Sequence, residues 1–234
     1  MRLDRFLVRR GIHSSRQVAG MLEDGAVRVD GQIERAGKRE INRFSMIEIN
    51  GEVLQAEQAI YLMLHKPAGY LSATSDPVHP TVLQLIDHPL RDELHLAGRL
   101  DRASTGLLLL TNDGRWSKAV TGPEKGVSKV YRVTTRDAIH PDTVTRFLDG
   151  IYFAWEDRTT QAAELEILGE REARITLREG LYHQVKRMFH AVGNRVLSLH
   201  RESIGPLCLN DELPEGAFRA LTADEIGSFP HAVS

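Results

Sequence analysis

The chain has 234 residues, with 30 Lys and Arg against 32 Asp and Glu and a hydrophobic fraction of 41%. This composition is typical of a folded protein, either one large domain or a small domain joined to a larger one. Cys208 is the only cysteine, which excludes an intramolecular disulfide and a Cys-x-x-Cys site. The longest apolar run, Leu107 to Leu110, is far too short to span a bilayer. We therefore expect a cytoplasmic protein that is not associated with a membrane.

The amino-terminal segment predicts two short helices joined by a tight turn. Leu3, Phe6 and Leu7 recur at helical spacing, while arginines occupy the other side. Ser14 and Gln17 have the spacing of a capping box, which begins the second helix. The net charge of −2 does not indicate a nucleic-acid partner by itself, but the arginines of this segment indicate a basic surface.

Two alternating segments follow the helices. Val27 to Ile33 alternates around Asp30-Gly31, and Met46 to Leu54 alternates around Asn50-Gly51. Both patterns predict β-hairpins with tight turns.

These features resemble the S4 RNA-binding domain. The resemblance rests on Ser15-Arg16 at the start of the second helix and on the spacing of glycines and valines from Gly25 to Gly31. It implies that Arg5, Arg9 and Arg16 contact RNA phosphates, which give affinity without reading sequence. The alternative for these arginines is a solvated basic face.

A short polar bridge at residues 55–59 has no core pattern of its own. We place the domain boundary there, with an S4-like domain over residues 1–58 and a larger domain over residues 59–234. The larger domain begins with a strand at Tyr61 to Leu64, and Val82 to Ile86 predicts a short helix.

The central feature of the chain is the stretch from Gly98 to Gly106. Asp101 lies there between Arg99 and Arg102, and the apolar run Leu107 to Leu110 follows. The two glycines allow an unusual backbone path that presents Asp101 beside a buried strand. From spacing alone, Asp101 is either a catalytic residue or a structural residue that forms an Asx-turn.

The following segments alternate between strand and helix patterns. Ser128 to Thr134 predicts a strand that contains Tyr131, and Pro141 is placed to begin a helix. Ala163 to Leu168 and Ala173 to Leu177 predict an antiparallel pair. Without further context, Tyr131 is a half-buried strand aromatic.

The last distinctive pattern runs from Glu179 to Asn194 and predicts an amphipathic helix. An apolar stripe and a cationic stripe share helical spacing. The apolar stripe consists of Val185, Met188, Phe189 and Val192, and the cationic stripe of His183, Lys186, Arg187 and His190. We also assign Arg201, which lies downstream, to a basic region around this helix.

Together these motifs resemble the pseudouridine synthase family in the form of its RsuA branch. Gly98 to Leu108 is similar to the catalytic motif of the family, Glu179 to Met188 to its last motif, and Lys66 to Gly69 to the opening motif that supports the catalytic loop. The resemblance implies an α+β fold, with a small amino-terminal S4-like (α-L) RNA-binding domain. It also implies a catalytic domain with a mixed, largely antiparallel sheet.

The resemblance also implies roles for individual residues. Asp101 is the catalytic residue, and it acts on the sugar either by attacking C1′ or by removing a ribose proton. Lys186 pairs with Asp101 and favours its charged form, and Tyr131 stacks against the flipped base. Arg99, Arg102 and Arg187 are expected to make further contacts with RNA.

The implied reaction isomerises uridine to pseudouridine, and it needs no metal, nucleotide or flavin. We expect no cofactor. A glycoside hydrolase needs a second carboxylate, and the motif supplies only one.

The implied substrate is one uridine of 16S rRNA, at position 516 in the usual convention, within a partly assembled small ribosomal subunit. We expect a monomer. The alternatives are a synthase for 23S rRNA and a non-catalytic RNA-binding factor of ribosome assembly.

Overall fold

The structure, a computed structural model, describes residues 1–11, 14–210 and 212–229. The chain divides into two compact units, an amino-terminal unit of Met1–Ala59 and a carboxy-terminal unit of Ile60–Ser234. None of the helices in the described ranges combines the length and the apolar character that crossing a bilayer demands.

The amino-terminal unit packs two helices on a small antiparallel sheet. The helices are α1 (Leu3–Arg9) and α2 (Ser15–Glu23), and the strands are β1 (Val27–Val29), β2 (Gln32–Ile33), β3 (Ile47–Ile49) and β4 (Glu52–Gln55), in the order β2-β1-β3-β4. Leu3 and Leu7 of α1 are buried among valines and isoleucines of the strands. The two predicted helices and both predicted hairpins are confirmed.

Local sequence signals explain why these elements begin and turn where they do. Ser14 and Gln17 form the predicted capping box, in which each side chain accepts a hydrogen bond from the other residue's backbone N–H. Asp30 and Asn50, at the hairpin turns, adopt positive φ values of 53° and 51°. Aspartate and asparagine tolerate this conformation better than other residues that carry a side chain.

The carboxy-terminal unit is built on one large sheet. Its strands are β5 (Tyr61–Lys66), β6 (His95–Ala97), β7 (Thr105–Thr111), β8 (Lys129–Thr135), β9 (Tyr152–Phe153), β10 (Arg158–Thr159), β11 (Glu164–Gly169), β12 (Glu172–Leu177), β13 (Val196–Ile204), β14 (Leu207–Cys208) and β15 (Phe218–Ala220). Within the described residues, nine of these strands form the sheet, in the order β11-β12-β8-β13-β7-β5-β15, with β14 beside β13 and β6 beside β7. β9 and β10 form a separate hairpin.

The helices of this unit are short; in the chain, three of them connect strands and the fourth follows β15. They are α3 (Gly114–Thr121), α4 (Asp142–Asp149), α5 (Gln184–Ala191) and α6 (Ala223–Gly227), with 3₁₀ turns at Val82–Leu85, Arg91–Glu93 and Pro123–Lys125. Phe147 of α4 and Phe189 of α5 meet edge to face with their ring centroids 5.1 Å apart. Both rings are fully buried and pack with residues of β8, β11 and β12 in one core cluster.

The sheet is mixed, as predicted from the sequence. β7 and β13 pair in parallel, with His200 opposite Thr105 and Arg201 opposite Gly106, while the other described neighbours pair antiparallel. The parallel pairing is formed by the last two residues of the Gly98 to Gly106 stretch, so it fixes where that stretch joins the sheet.

The structure refines one sequence prediction and corrects another. The short helix predicted over Val82 to Ile86 is a 3₁₀ helix at Val82–Leu85. His183 precedes α5 and adopts a left-handed backbone conformation, so it does not belong to the cationic stripe of that helix.

Candidate active site

Asp101 lies in the loop that leads from β6 into β7. In this segment, residues 98–106 (the Asp101 loop), Gly98 and Gly106 have φ values of 97° and 109°. A Cβ atom on Gly106 would collide with the backbone of Arg201 on the adjacent strand β13. Glycine alone permits both the close approach and the positive φ, so the glycines determine the path of the loop.

A buried lysine holds the Asp101 loop by its backbone. Lys66, at the end of β5, is fully buried, and its Nζ donates to the carbonyl oxygens of Pro67, Arg102 and Ser104 at 2.9, 3.3 and 2.8 Å. Burial lowers the pKa of Lys66 to about 8, although the negative charge of Asp101 acts in the opposite direction. One ammonium group thus fixes two carbonyl groups of the loop.

Both neighbours of Asp101 in the chain are fastened to the segment after β5. Leu100 donates its N–H to the Ser72 hydroxyl at 3.0 Å, and this hydroxyl donates to the Leu100 carbonyl at 2.7 Å. Arg102 donates its Nε to the Gly69 carbonyl at 3.0 Å, and the Gly69 N–H donates to the Arg102 carbonyl at 2.8 Å. The position of Asp101 is therefore determined from both sides.

Each oxygen of the Asp101 carboxylate faces a different nitrogen. The Nζ of Lys186 lies 2.6 Å from Oδ2, and the Nε2 of His183 lies 3.3 Å from Oδ1. The Asp101 side chain is 26% exposed, so a ligand can reach it. A carboxylate held in this way can act as a nucleophile or as a base.

Tyr131 lies in β8 with only 9% of its surface exposed, in the same buried cluster as Leu100. The guanidinium carbon of Arg201 is 5.9 Å from the centre of its ring. Arg201 also donates to the carbonyl oxygens of Leu107 and Arg99, at 2.8 and 3.1 Å. Arg201 therefore lies near Tyr131 and also contacts the start of the Asp101 loop, at Arg99, and the strand that follows the loop, at Leu107.

The sequence did not predict that two further residues, Arg201 and His183, belong to this site. Arg201, which we assigned to a basic surface region, is only 2% exposed. The alternation of β13 could have revealed this, because Leu199, two residues before Arg201 on the same side of the strand, is also buried. No sequence pattern indicated the contact of His183 with Asp101. This contact depends on the left-handed backbone conformation that His183 itself adopts directly before α5.

The arginines predicted to contact RNA from the amino-terminal unit are all exposed. Arg5 and Arg9 line a groove of about 650 Å³ along α1 and α2, together with Arg35 and Lys38. Arg16 is exposed on α2 but lies outside the lining of this groove.

The three arginines of the larger domain that are predicted to contact RNA differ in their hydrogen-bond partners. Arg99 is exposed. Arg102 is exposed too, and its Nε is engaged by the Gly69 carbonyl. Arg187 forms two hydrogen bonds of 2.6 Å with the carboxylate of Glu156, so its guanidinium already has an anionic partner.

His, Cys, Asp and Glu side chains within the described ranges form no group of three or more that could hold a metal ion. The site thus comprises Asp101, its two nitrogen partners and the Tyr131–Arg201 pair.

Comparison with known proteins identifies the family. The sequence model of the RNA pseudouridylate synthase family matches residues 60–191, and that of the S4 domain matches residues 1–39. The chain belongs to the pseudouridine synthase family.

Relatives match this pseudouridine synthase over nearly its full length. Ribosomal small subunit pseudouridine synthase A of Pseudomonas aeruginosa is 51% identical over 229 residues, which cover 97% of this chain and 100% of the relative. The protein of the same name from Escherichia coli (strain K12) is 43% identical over 230 residues, which cover 97% of this chain and 99% of the relative.

A solved structure described as a pseudouridylate synthase superposes with a TM-score of 0.71 at 39% identity. It covers 98% of this chain, and 99% of its own chain is matched. The family and the fold class predicted from the motifs, an S4 domain followed by a synthase domain with a mixed sheet, are confirmed.

Proposed function

We propose that this pseudouridine synthase isomerises one uridine of 16S rRNA, at position 516 in the usual convention, with Asp101 as the catalytic carboxylate. The relatives described above carry small-subunit names, which supports this choice of RNA. The observation that carries the catalytic assignment is the contact of 2.6 Å between Lys186 Nζ and Asp101 Oδ2.

The reaction is an internal transfer within the nucleotide. The bond from N1 of the base to C1′ of ribose breaks, the base turns, and C5 forms a new bond to C1′. The proton leaves C5 and N1 gains one, so that atoms and electrons balance without a co-reactant. Asp101 acts on the sugar, and both routes considered for it, attack on C1′ and removal of a ribose proton, require an ionised carboxylate.

Lys186 and His183 support the ionised form of Asp101 in this proposal. A cation within hydrogen-bond distance stabilises a carboxylate by direct attraction, more strongly in a partly buried site than in water. The two nitrogens contact different oxygens, so they also orient the carboxylate.

Tyr131 and Arg201 supply the second part of the proposed site. A uridine in structured RNA must leave its stack before an enzyme can reach its sugar. Tyr131 is the aromatic residue that we assign to stack against the flipped base. Arg201 lies 5.9 Å from the centre of that ring and also bonds to the Asp101 loop, so it fixes the position of Tyr131 relative to that loop.

The substrate in the cell is, in this proposal, a partly assembled small subunit. The exposed Arg5, Arg9 and Arg16 contact phosphates from the S4 domain, and Arg99 and Arg102 contact phosphates near the target. Arg187 retains a proposed place near the RNA, although its guanidinium is engaged by Glu156.

The deciding experiment is release of tritium from C5-labelled rRNA. Wild-type protein should release label from small-subunit rRNA, and Asp101→Asn should release none while it binds the RNA equally well. Asp92→Asn is the matched control, because the Asp92 side chain is 92% exposed and carries no proposed role.

Each other outcome corrects a specific part of the proposal. Retained activity in Asp101→Asn would remove Asp101 from the mechanism. Release from large-subunit rRNA alone would assign the enzyme to 23S rRNA. Binding without release from either RNA would indicate a non-catalytic assembly factor.

A further inference from the structure

Large aromatic side chains are exposed on the hairpin of β9 and β10 and on the segment before α5, without a role in the chemistry described above. Trp155 is 95% exposed, Tyr182 is 75% exposed and Tyr152 is 59% exposed. Trp155 lies at the tip of the hairpin formed by β9 and β10, and Tyr182 precedes α5. Exposed aromatic rings that cluster near a site indicate a binding surface.

Arg187 joins the two segments that carry these rings. Its guanidinium binds both oxygens of Glu156, the residue after Trp155, at 2.6 Å. It lies 3.7 Å from the ring centre of Phe153 and donates to the Tyr182 carbonyl at 3.3 Å. The hairpin tip and the segment before α5 therefore meet at one side chain.

A second set of contacts anchors the base of the same hairpin. Arg158 of β10 donates to the carboxylate of Glu179 at 3.0 Å, and Glu179 is only 7% exposed. The other Glu179 oxygen accepts from the Gln184 side chain at 2.7 Å. The hairpin is thus fixed to the start of α5 at its base and at its tip, while the Trp155 ring projects into solvent.

One of these exposed rings, that of Tyr182, is connected to the Asp101 site through His183. Tyr182 stacks on His183 with ring centroids 3.9 Å apart and an angle of 19°. His183 in turn contacts Asp101 at 3.3 Å. A base that stacks on the free face of Tyr182 would therefore lie close to a uridine held at Asp101.

We propose that Trp155 and Tyr182, which we call the aromatic rim, stack on unpaired bases that flank the target uridine. The inference rests on the proposed function, because it takes an RNA substrate for granted. Every base offers a π face, so a rim of this kind binds single-stranded RNA with little sequence preference. Arg187 then acts as an organiser of the rim through Glu156, Phe153 and Tyr182.

The first test uses the fluorescence of the protein itself. The chain has 2 tryptophans, and Trp116 is fully buried whereas Trp155 is 95% exposed. Titration with a small-subunit rRNA fragment whose target segment is unpaired should quench the emission of exposed tryptophan. A fully duplex RNA of the same sequence should quench it much less, and Trp155→Phe should abolish the response.

The second test separates stacking from folding by steady-state kinetics of tritium release. Trp155→Ala should raise KM by about 5- to 150-fold with little change in kcat, as expected for the loss of one stacked base. Trp155→Phe should retain nearly wild-type KM because it retains a ring. Leu197→Ala is the control, since it removes a side chain that is 62% exposed on β13.

A third measurement separates stacking from charge. The dependence of RNA affinity on salt reports the number of phosphate contacts. Trp155→Ala should therefore weaken binding at every salt concentration without a change in this slope.

The rim and the proposed function fail in different ways. Absence of label release by wild-type protein would overturn the proposed function, while quenching by unpaired RNA would still report the rim. Wild-type KM in Trp155→Ala, together with unquenched emission at saturating RNA, would overturn the rim alone. Weaker binding of Trp155→Ala to protein-containing subunit particles, but not to protein-free RNA, would assign the surface to a ribosomal protein and also overturn it.

Discussion

Lys186 Nζ lies 2.6 Å from Asp101 Oδ2, although 85 positions separate the two residues in the chain. The Asp101 loop leads into β7, and α5, which carries Lys186, leads into β13. β7 and β13 pair in parallel, so the sheet itself brings the loop and the helix to the same end. The contact is therefore a consequence of topology as much as of the two side chains.

Lys186→Met should lower kcat by about 10²- to 10³-fold, the loss typical for removal of one preorganised electrostatic partner. Methionine keeps the length and the apolar stem of lysine but removes the charge beside Asp101. The measurement is the kcat of tritium release with saturating rRNA, and thermal unfolding checks that the fold is retained.

Lys186→Arg provides the matched comparison, because it keeps a cation at the same place. It should retain more activity than Lys186→Met. Equal kcat values for Lys186→Arg and Lys186→Met would argue against an electrostatic role of Lys186.

Lys66 should produce an alkaline limb in the pH–rate profile. Burial lowers its pKa to about 8, and deprotonation removes one of the donors that hold the Pro67, Arg102 and Ser104 carbonyls. The value of kcat should therefore fall as the pH rises through about 8, because the Asp101 loop loses an anchor.

Stability should change in the opposite direction over the same range. The folded-state pKa of Lys66 lies below its ordinary value of 10.5, so between the two values the unfolded state binds more protons than the folded state. The contribution of Lys66 to the free energy of unfolding should then rise with pH between about 8 and 10.5. Urea denaturation at several pH values measures it, and Lys66→Met should lack both this rise and the alkaline limb.

Much of the fold was predictable because it depends on local patterns. The capping box at Ser14, the hairpin turns at Asp30 and Asn50 and the alternation in β8 are each encoded within a few residues. The mixed sheet followed from the family resemblance. Those predictions are confirmed.

The site was predictable only in part, because its finer geometry depends on contacts between distant segments. The motifs indicated Asp101 and Lys186, and the structure places them in contact. The burial of Arg201 follows from its inward position in β13, and the His183 contact follows from a left-handed residue before α5. The engagement of Arg187 by Glu156 joins residues 31 positions apart, which no local pattern shows.

Arg5 and Arg9 should account for much of the salt dependence of RNA binding by the S4 domain. Both are exposed and line the groove of about 650 Å³ along α1 and α2. Replacement of each by Gln should reduce the slope of log affinity against log salt by about 1 per arginine. Filter binding of small-subunit rRNA at several salt concentrations measures this slope.

Arg28→Gln is the control for these variants. Arg28 is exposed on β1, bonds to the Gly31 carbonyl and does not line the groove. Its replacement should leave the slope nearly unchanged. An equal reduction of this slope by Arg28→Gln and by Arg5→Gln would mean that the groove has no special part in RNA binding.

Gly106→Ala should destabilise the protein more than Gly98→Ala, although both glycines have similar positive φ values, 109° and 97°. A residue with a side chain is strained in this conformation by about 1–3 kcal/mol. At Gly98 the nearest atom to an added Cβ is a Thr121 methyl carbon at 3.7 Å, which is ordinary contact. At Gly106 the added Cβ would collide with the Arg201 backbone, which no side-chain rotation relieves.

The difference between the two variants therefore isolates the close approach of β7 and β13. Overpacking of this kind adds about 1–3 kcal/mol to the strain that both share, and urea denaturation of the two proteins side by side measures it. Gly106→Ala should also lower kcat more than Gly98→Ala, because Arg201 bonds to the Arg99 and Leu107 carbonyls beside Asp101. Equal unfolding free energies for the two variants would show that the strands separate at little cost, and that Gly106 serves the loop only through its backbone conformation.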